Sequence, residues 1–434
     1  MAGPARRHTR RRRGGNEQDV SLTARVPALA PFQVRSFRYQ WPADLLASWA
    51  FEMEGVILGW FVLVSTGSVL ALAVFGSLQF LGTLISPLFG MAGDRVGNRK
   101  VLCLMRAIYL VVAAALAALF LSGLAAPWSV FVLATIMGLV RPSDITLRNL
   151  LVGETMPSNY LMRAMGVSRT TADSARVVGA LSGAALVALL GSGVAYLGVC
   201  FFYAASLALT FNVGVKRLRV LGEEPHASPL RALREGFAYV WSTPDMRAVM
   251  LLAFLVNLAA YPLIGSLLAY VAKDIYGLGQ TGLGWLIACF AAGALIGSIT
   301  ISTHGAAIRP ARTTLVCAVL WFSLNLVFSW IKTPLLGEIV LFVAGFVQSF
   351  CMIPMAVLLL RVADPAFRGR VMGVRMLAVY GMAVGLLAAG PLVEHTGFAV
   401  TGTIFSLVCI VFTVAVGLYW RRHLWDVGAD ANAR

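Results

Sequence analysis

The stretch Gly90-Met-Ala-Gly-Asp94-Arg95-Val-Gly97-Asn-Arg99-Lys100 is a short charged turn set between two long apolar runs, 69–93 and 101–122. Each run exceeds the roughly 20 residues needed to cross a bilayer, so the turn reads as the loop between two membrane spans. Outward from it the same alternation continues. One further run, 42–65, precedes it, and nine follow: 128–152, 162–190, 194–215, 246–271, 282–302, 313–331, 337–360, 371–393 and 399–420. The separators are turn-like, as in Gly123-Leu-Ala-Ala-Pro127 and Gly191-Ser-Gly193. The expected fold is all-α and integral to the membrane, with twelve transmembrane helices and both termini on one side.

Composition agrees with that reading. The 434 residues are 59% hydrophobic and 12% charged, against about 25% charged in soluble domains, which excludes an ordinary water-soluble enzyme. Lys and Arg number 35 against 19 Asp and Glu, a net charge of +16. In a soluble protein that excess would suggest nucleic acid as partner. Here 26 of the 35 basic residues fall in the termini and the loops on their side, and the opposite face holds two, Lys273 and Lys332. Cytoplasmic loops retain Lys and Arg, so both termini are expected in the cytoplasm, the protein in the cell (inner) membrane, and no nucleic acid as partner.

The domain plan follows: a basic, disordered cytoplasmic tail over 1–41, a six-helix bundle over 42–215, a central cytoplasmic loop over 216–245, a second six-helix bundle over 246–420 and a tail over 421–434. The arginines of Arg6-Arg7-His8-Thr9-Arg10-Arg11-Arg12-Arg13 read as a solvated arm that reinforces orientation. A signal peptide is not expected there, because no short apolar core follows the arginines and no small-residue cleavage site precedes the first span. Within the central loop, Leu230, Leu233, Phe237 and Val240/Trp241 recur at helical spacing with Arg231, Arg234 and Glu235 off that stripe. A short helix along the inner membrane face is expected there.

The six cysteines, Cys103, Cys200, Cys289, Cys317, Cys351 and Cys409, stand singly in apolar runs. No Cys-His spacing suits zinc. The histidines fall in tails or at run ends, and no nucleotide-binding glycine loop is present. No metal, cofactor or ATP-driven step is therefore expected, and no enzyme.

The halves echo each other. Arg163-Ala-Met-Gly-Val167 is matched by Arg370-Val-Met-Gly-Val374 at an offset of 207, and Phe75 and Gly82 by Phe290 and Gly297 at an offset of 215. Repeated six-span bundles are how many secondary transporters build a central site with two alternating openings.

In this frame Gly90, Asp94, Arg95, Gly97, Arg99 and Lys100 resemble the G-x-x-x-D-R-x-G-R-R/K signature of the major facilitator superfamily, in the cytoplasmic loop where that family carries it. Asp94 can bond the N-terminus of a neighbouring helix, and Gly97 permits the tight turn. In the second half Asp94 maps onto Arg309, so that copy is degenerate. Leu233–Pro244 and Asp364–Gly373 are similar to the bacterial branch of enterobactin, macrolide and multidrug exporters. That resemblance implies a twelve-helix, proton-coupled exporter of amphipathic compounds. The chain departs from the exporter pattern on span five, where Gly179-Ala180-Leu-Ser-Gly183-Ala184 lacks a proline and a final glycine, and on span four, where Pro142 follows Arg141.

An ionisable group inside a span costs about 2.5–3.5 kcal/mol on insertion scales, so each one needs a reason. Span one carries Glu52 and Glu54, span four Arg141, Asp144 and Arg148, and span five Arg169, Asp173 and Arg176. Glu52 and Glu54 point to nearly opposite sides of a helix; the small, polar strip of Ser48, Trp49, Gly55 and Gly59 makes Glu52 the cavity-facing one. Glu52, Glu54, Arg141, Asp144, Asp173 and Arg176 are candidates for coupling or substrate binding, with Arg141 expected to modulate Asp144 or Asp173. A neutralising network between packed helices is the competing account. Asn257 and Gln348 are cavity candidates in the second half, and Gly179 and Gly183 suit close helix packing.

The expected activity is efflux of a drug-like or siderophore-like small molecule by proton antiport, by a monomer in the lipid bilayer. Proton-coupled uptake or uniport is the alternative within transport, and a non-transporting sensor or scaffold lies outside it.

Overall fold

A computed structural model of the protein describes residues 27–214, 229–304, 309–364 and 367–420. The arginine-rich tail and the degenerate Gly305 turn lie outside them. After a 3-10 turn, Pro27–Gln33, the helices run in order: α1 Arg35–Thr66, α2 Val69–Leu78, α3 Ser86–Val96, α4 Asn98–Leu121, α5 Pro127–Thr155, α6 Ser158–Phe211, α7 Pro229–Ser242, α8 Pro244–Leu255, α9 Tyr261–Ile264, α10 Leu268–Tyr270, α11 Gln280–His304, α12 Pro310–Trp330, α13 Pro334–Val362, α14 Arg368–Ala378, α15 Gly381–Thr396 and α16 Phe398–Tyr419. Among the described residues ten helical segments are long and apolar enough to cross a membrane, and Val69–Thr83 is a shorter apolar one.

The helices differ from the expected spans where the backbone has a reason to break. At about 1.5 Å per residue, the 54-residue α6 would be about 80 Å long if straight. Gly191 interrupts it with φ 78°, a left-handed conformation open to glycine. The chain then folds back, so that a Cβ on Gly198 would lie 3.8 Å from the Leu186 side chain. The Gly191-Ser-Gly193 turn expected between spans five and six is therefore present inside α6.

The run expected as one span over 69–93 is divided at Gln79–Ile85. Pro87 has no amide to bond back to Thr83, and it stands in the first turn of α3. The run over 246–271 is likewise segmented, with π-helical turns at Val256–Ala260 and Val271–Ile275. Pro262 cannot bond to Leu258, which accounts for the break ahead of α9. At the N-terminus α1 begins at Arg35, so residues 27–41 are structured where a disordered tail was expected.

Repeated halves are visible in how the backbones touch. A Cβ on Gly82 would strike the carbonyl of Leu139, and one on Gly138 the carbonyl of Leu78. In the second half a Cβ on Gly297 would lie 2.7 Å from the carbonyl oxygen of Phe346, and one on Gly345 would strike that of Phe290. Gly82 and Gly297 are the pair related by the offset of 215, and Gly138 and Gly345 are separated by 207. Glycine at these crossings lets two backbones meet in van der Waals contact, which holds helices together where lipid removes the hydrophobic drive.

Two core clusters fill the halves. One is built largely around Met53, Leu102, Met105, Tyr109, Tyr196 and Tyr203, the other around Leu263, Leu268, Trp321, Phe322 and Met355.

Substituting Gly138→Leu or Gly345→Leu should each destabilise the protein by about 3 kcal/mol, the upper end of the usual overpacking range. Gly55→Ala, where a Cβ meets nothing within 4 Å, should be neutral. Thermal unfolding in detergent measures both, and an unshifted Tm for Gly345→Leu would contradict the packing described.

Candidate substrate and coupling site

The charged residues inside the first bundle form three groups. The first joins Asp44 of α1, Arg106 of α4, and Asp144 and Arg148 of α5. Arg106 pairs with Asp44 and donates to the Thr210 hydroxyl, and to the carbonyl of Ser206 at 3.4 Å. Arg148 pairs with Asp144 one turn earlier, lies 3.7 Å from the Asp44 carboxylate and donates to the Ser48 hydroxyl at 2.7 Å. Gln40 donates to the carbonyl of Arg148 at 3.0 Å. Arg106 and Asp144 are wholly buried. Two acids against two arginines leave the group electrically balanced, as buried charges must be.

The second group surrounds Glu54, which is 4% exposed. Its carboxylate accepts from Tyr203 at 3.1 Å and from Tyr196 at 3.4 Å. Tyr203 in turn packs on Phe51 and Tyr109. The Arg141 guanidinium lies 4.5 Å over the Phe51 ring and donates to Gln79 at 2.7 Å. Among the described residues Arg141 is in no ion pair within 4 Å.

The third group is more open. Arg176 of α6 lies 3.5 Å from Glu52, with side chains 36% and 27% exposed. Asp173 pairs within its own helix, with Arg169 at 3.4 Å. Gly179 lets α6 approach until a Cβ there would sit 2.6 Å from the Glu52 Cβ, and Gly183 does the same against Met53. Trp49 closes the crossing by donating to Ser182 at 2.8 Å. Arg176 also lies within electrostatic reach of Tyr261 in the second bundle. Tyr261 accepts from Gln348 at 2.7 Å and stands edge-on to Trp321. Asn257 is 5% exposed and bonds back to Ala253 of its own helix.

The expected grouping thus sorts differently in space. Glu52 and Arg176 meet, while Asp144 and Asp173 pair with Arg148 and Arg169, and Arg141 turns toward Phe51 and Gln79. Asp44, Arg106, Tyr196 and Tyr203 were not among the candidates. Asp44 and Arg106 carried the same signal as the rest, an ionisable side chain within an apolar run; the tyrosines carried none.

The charged turn is tied down by its neighbours. Gly97 takes φ 104° between α3 and α4. Asn98 donates to Glu154 at the end of α5 at 2.6 Å, and Arg99 to the carbonyl of Val213 just beyond α6 at 2.8 Å. Arg95 and Lys100 are exposed; the surroundings of Gly90 and the side chain of Asp94 lie outside what is described.

The bundles touch each other along α2 and α15 and along α6 and α11. Glu394 accepts from the Ser68 hydroxyl at 2.7 Å and from the Leu70 amide at 3.0 Å, at the N-terminus of α2. Ser77 donates to the carbonyl of Ala383 at 3.1 Å, and Gly390 fits against Leu70 and Ala73. Gly284 of α11 fits against Ala180 and Ala184 of α6.

Paired helical bundles with charges buried between apolar helices define a polytopic membrane transporter. The family model for the Major Facilitator Superfamily matches residues 41–380 and 249–429, and the chain belongs to that family as a multi-pass membrane protein. It is 26% identical to the enterobactin exporter EntS of Citrobacter koseri over 340 residues, 74% of this chain and 76% of that one. It is 22% identical to the uncharacterized MFS-type transporter YfmI of Bacillus subtilis over 202 residues, 46% of this chain and 50% of the relative. Among solved structures, the human organic anion transporter MFSD10 (TETRAN) matches with a TM-score of 0.65 at 18% identity, covering 88% of this chain and 99% of that one. The POT family transporter PepTSo matches with a TM-score of 0.71 at 13% identity, covering 90% and 98%. These likenesses carry the fold.

Replacing Asp44 by Asn removes the direct partner of a fully buried Arg106, which should cost about 3–5 kcal/mol. Adding Arg106→Met should return part of that loss. Unfolding of the two single variants and the double variant checks this, and strict additivity would show that the two side chains do not interact.

Proposed function

We propose that the protein is a secondary active transporter that exports an amphipathic small molecule, drug-like or siderophore-like, in exchange for protons by alternating access. The observation that carries the reading is the pair of glutamates on one turn of α1. Glu52 faces the junction of the bundles with Arg176 as partner, and Glu54 sits behind it between two tyrosines. Glu52 and Arg176 suit a polar substrate group, since each can release the other for it. Glu54 suits a proton, since a desolvated carboxylate with hydroxyl neighbours changes charge when its surroundings do.

In this reading all the apolar runs cross the membrane as twelve helices, with both termini cytoplasmic. The contacts of Glu394, Ser77 and Gly284 with the opposite bundle then close the external side, and the cycle opens them while drawing the cytoplasmic ends together. The charged turn around Gly97, tied to α5 and α6 by Asn98 and Arg99, acts at the cytoplasmic side. Export is supported by the likeness to the enterobactin exporter.

Two measurements test the proposal. Cells lacking the protein should accumulate more of at least one amphipathic compound than cells expressing it; increased uptake on expression would reverse the direction. In everted vesicles, Glu54→Gln should lose acceleration by a pH gradient while retaining counterflow of substrate, and Glu52→Gln should weaken both. Asp144→Asn and Asp173→Asn, each paired on its own helix, should leave the pH dependence in place. Unchanged coupling in Glu54→Gln, or its loss in Asp144→Asn or Asp173→Asn, would sink the proton assignment.

A further inference from the structure

The amphipathic helix α7 is docked by one side. Glu235 lies 3.4 Å from Arg370, and a Cβ on Gly236 would sit 2.9 Å from the Arg370 Cβ. Tyr239 stacks on Phe367 at 4.4 Å and accepts from the Asp364 amide at 3.1 Å. The side turned away from these contacts carries Phe237 and Trp241, stacked at 5.6 Å and 51% and 52% exposed. Two large aromatic side chains half in the open are what a helix lying in the membrane interface presents.

Between that pair, α8 and the last turns of α14 runs a groove of about 210 Å³, walled by Val240, Met250, Phe254 and Leu377 as well as the two aromatics. Arg247 is the charged residue in its lining. The Arg247 guanidinium lies 5.8 Å over the Trp420 ring, and its Nε is buried without a hydrogen-bond partner. No carboxylate among the described residues lies within ion-pair distance of it. Asp245, two residues earlier, has a partner of its own and does not line the groove. Leaving such a donor desolvated and unpaired costs about 1–3 kcal/mol, more when it is charged, so an acceptor is called for.

Depth and volume identify the occupant. From Arg247 to Phe254 the groove descends seven residues of helix, about 10 Å, the distance from the headgroup level into the acyl region. Its volume is below the roughly 300–1,000 Å³ typical of small-molecule pockets, and suits a chain better than a compact solute.

We propose that this groove binds one anionic glycerophospholipid of the cytoplasmic leaflet. An acyl chain lies between the Phe237–Trp241 pair and helices α8 and α14, and the phosphate meets the Arg247 guanidinium, with Arg234 exposed on the same side of α7. The inference is independent of which compound the protein transports.

The test uses the full-length protein in nanodiscs of phosphatidylcholine with graded phosphatidylglycerol bearing a photoactivatable acyl chain. Cross-links should concentrate in 237–254 and 374–378, and native mass spectrometry after mild delipidation should find phosphatidylglycerol retained over phosphatidylcholine. Arg247→Gln should lower that preference about fivefold, the effect of one basic residue at an anionic surface. Arg247→Lys should keep most of it, and Phe237→Ala with Trp241→Ala should reduce retention of both lipids. Cross-links spread evenly around the protein, equal retention of the two lipids, or displacement by inorganic phosphate alone would each overturn the proposal. If Arg247→Gln does not fold, the lysine and aromatic variants still decide it.

Discussion

The ion pairs among Asp44, Arg106, Asp144 and Arg148 are the interaction on which the first bundle rests. Ionisable groups within apolar helices each oppose insertion if left apart. Pairing them across α1, α4 and α5 removes most of that cost, and it does so only when the three helices stand in one register. Hydrogen bonds from Arg106 to Thr210 and from Ser206 to the carbonyl of Ala43 extend the constraint to α6. The network thus acts less as a source of net stability than as a specification of which helices meet and where.

That fixed frame gives the two glutamates of α1 different surroundings. Two residues apart on a helix is a rotation of about 200°, so a helix packed on both sides must send one carboxylate inward when it sends the other out. Met53 between them is fully buried against Gly183 of α6, which fixes the rotation. Glu54 therefore enters the tyrosine-lined interior, and Glu52 emerges beside Arg176. Each acid alone could be structural; held back to back on one rigid turn, they link a partly open site to a desolvated one.

Much of the architecture was legible in sequence, for physical reasons that can be named. Bilayer thickness imposes run length, so the helices from Pro127 to Thr155 or from Phe398 to Tyr419 appear as apolar stretches with turn residues at their ends. The offset echoes gave the repeat, and the Gly138 and Gly345 contacts show what the repetition preserves. Side-chain pairing was less legible. Asp144 has arginines at i−3 and i+4 and Asp173 at i−4 and i+3, and periodicity cannot choose between such partners, or between either and an arginine on another helix. Tyr196 and Tyr203 were unreadable as partners of Glu54, because tyrosine in an apolar run is equally at home in a core or at an interface. The breaks at Gln79–Ile85 and ahead of Pro262 were hidden by hydropathy, which measures how apolar a stretch is and not whether its backbone is continuous.

The two halves are alike in backbone crossings and unlike in what their interiors contain. The first is cross-linked by ion pairs and resists internal rearrangement. In the second, Asn257 and Asn325 bond to backbone carbonyls, of Ala253 and Ala260, around the helix that the π-turns and Pro262 interrupt. Interrupted helices tolerate bending because their freed backbone groups are satisfied by neighbours and not by the helix's own ladder. Tyr261 sits at that interruption and within electrostatic reach of Arg176. The Glu52–Arg176 pair of the first bundle therefore stands close to the interrupted turn of the opposite one. The half that holds most of the buried charges thus meets the other half beside an interrupted helix, where the backbone ladder is already broken and its freed groups are satisfied by neighbours.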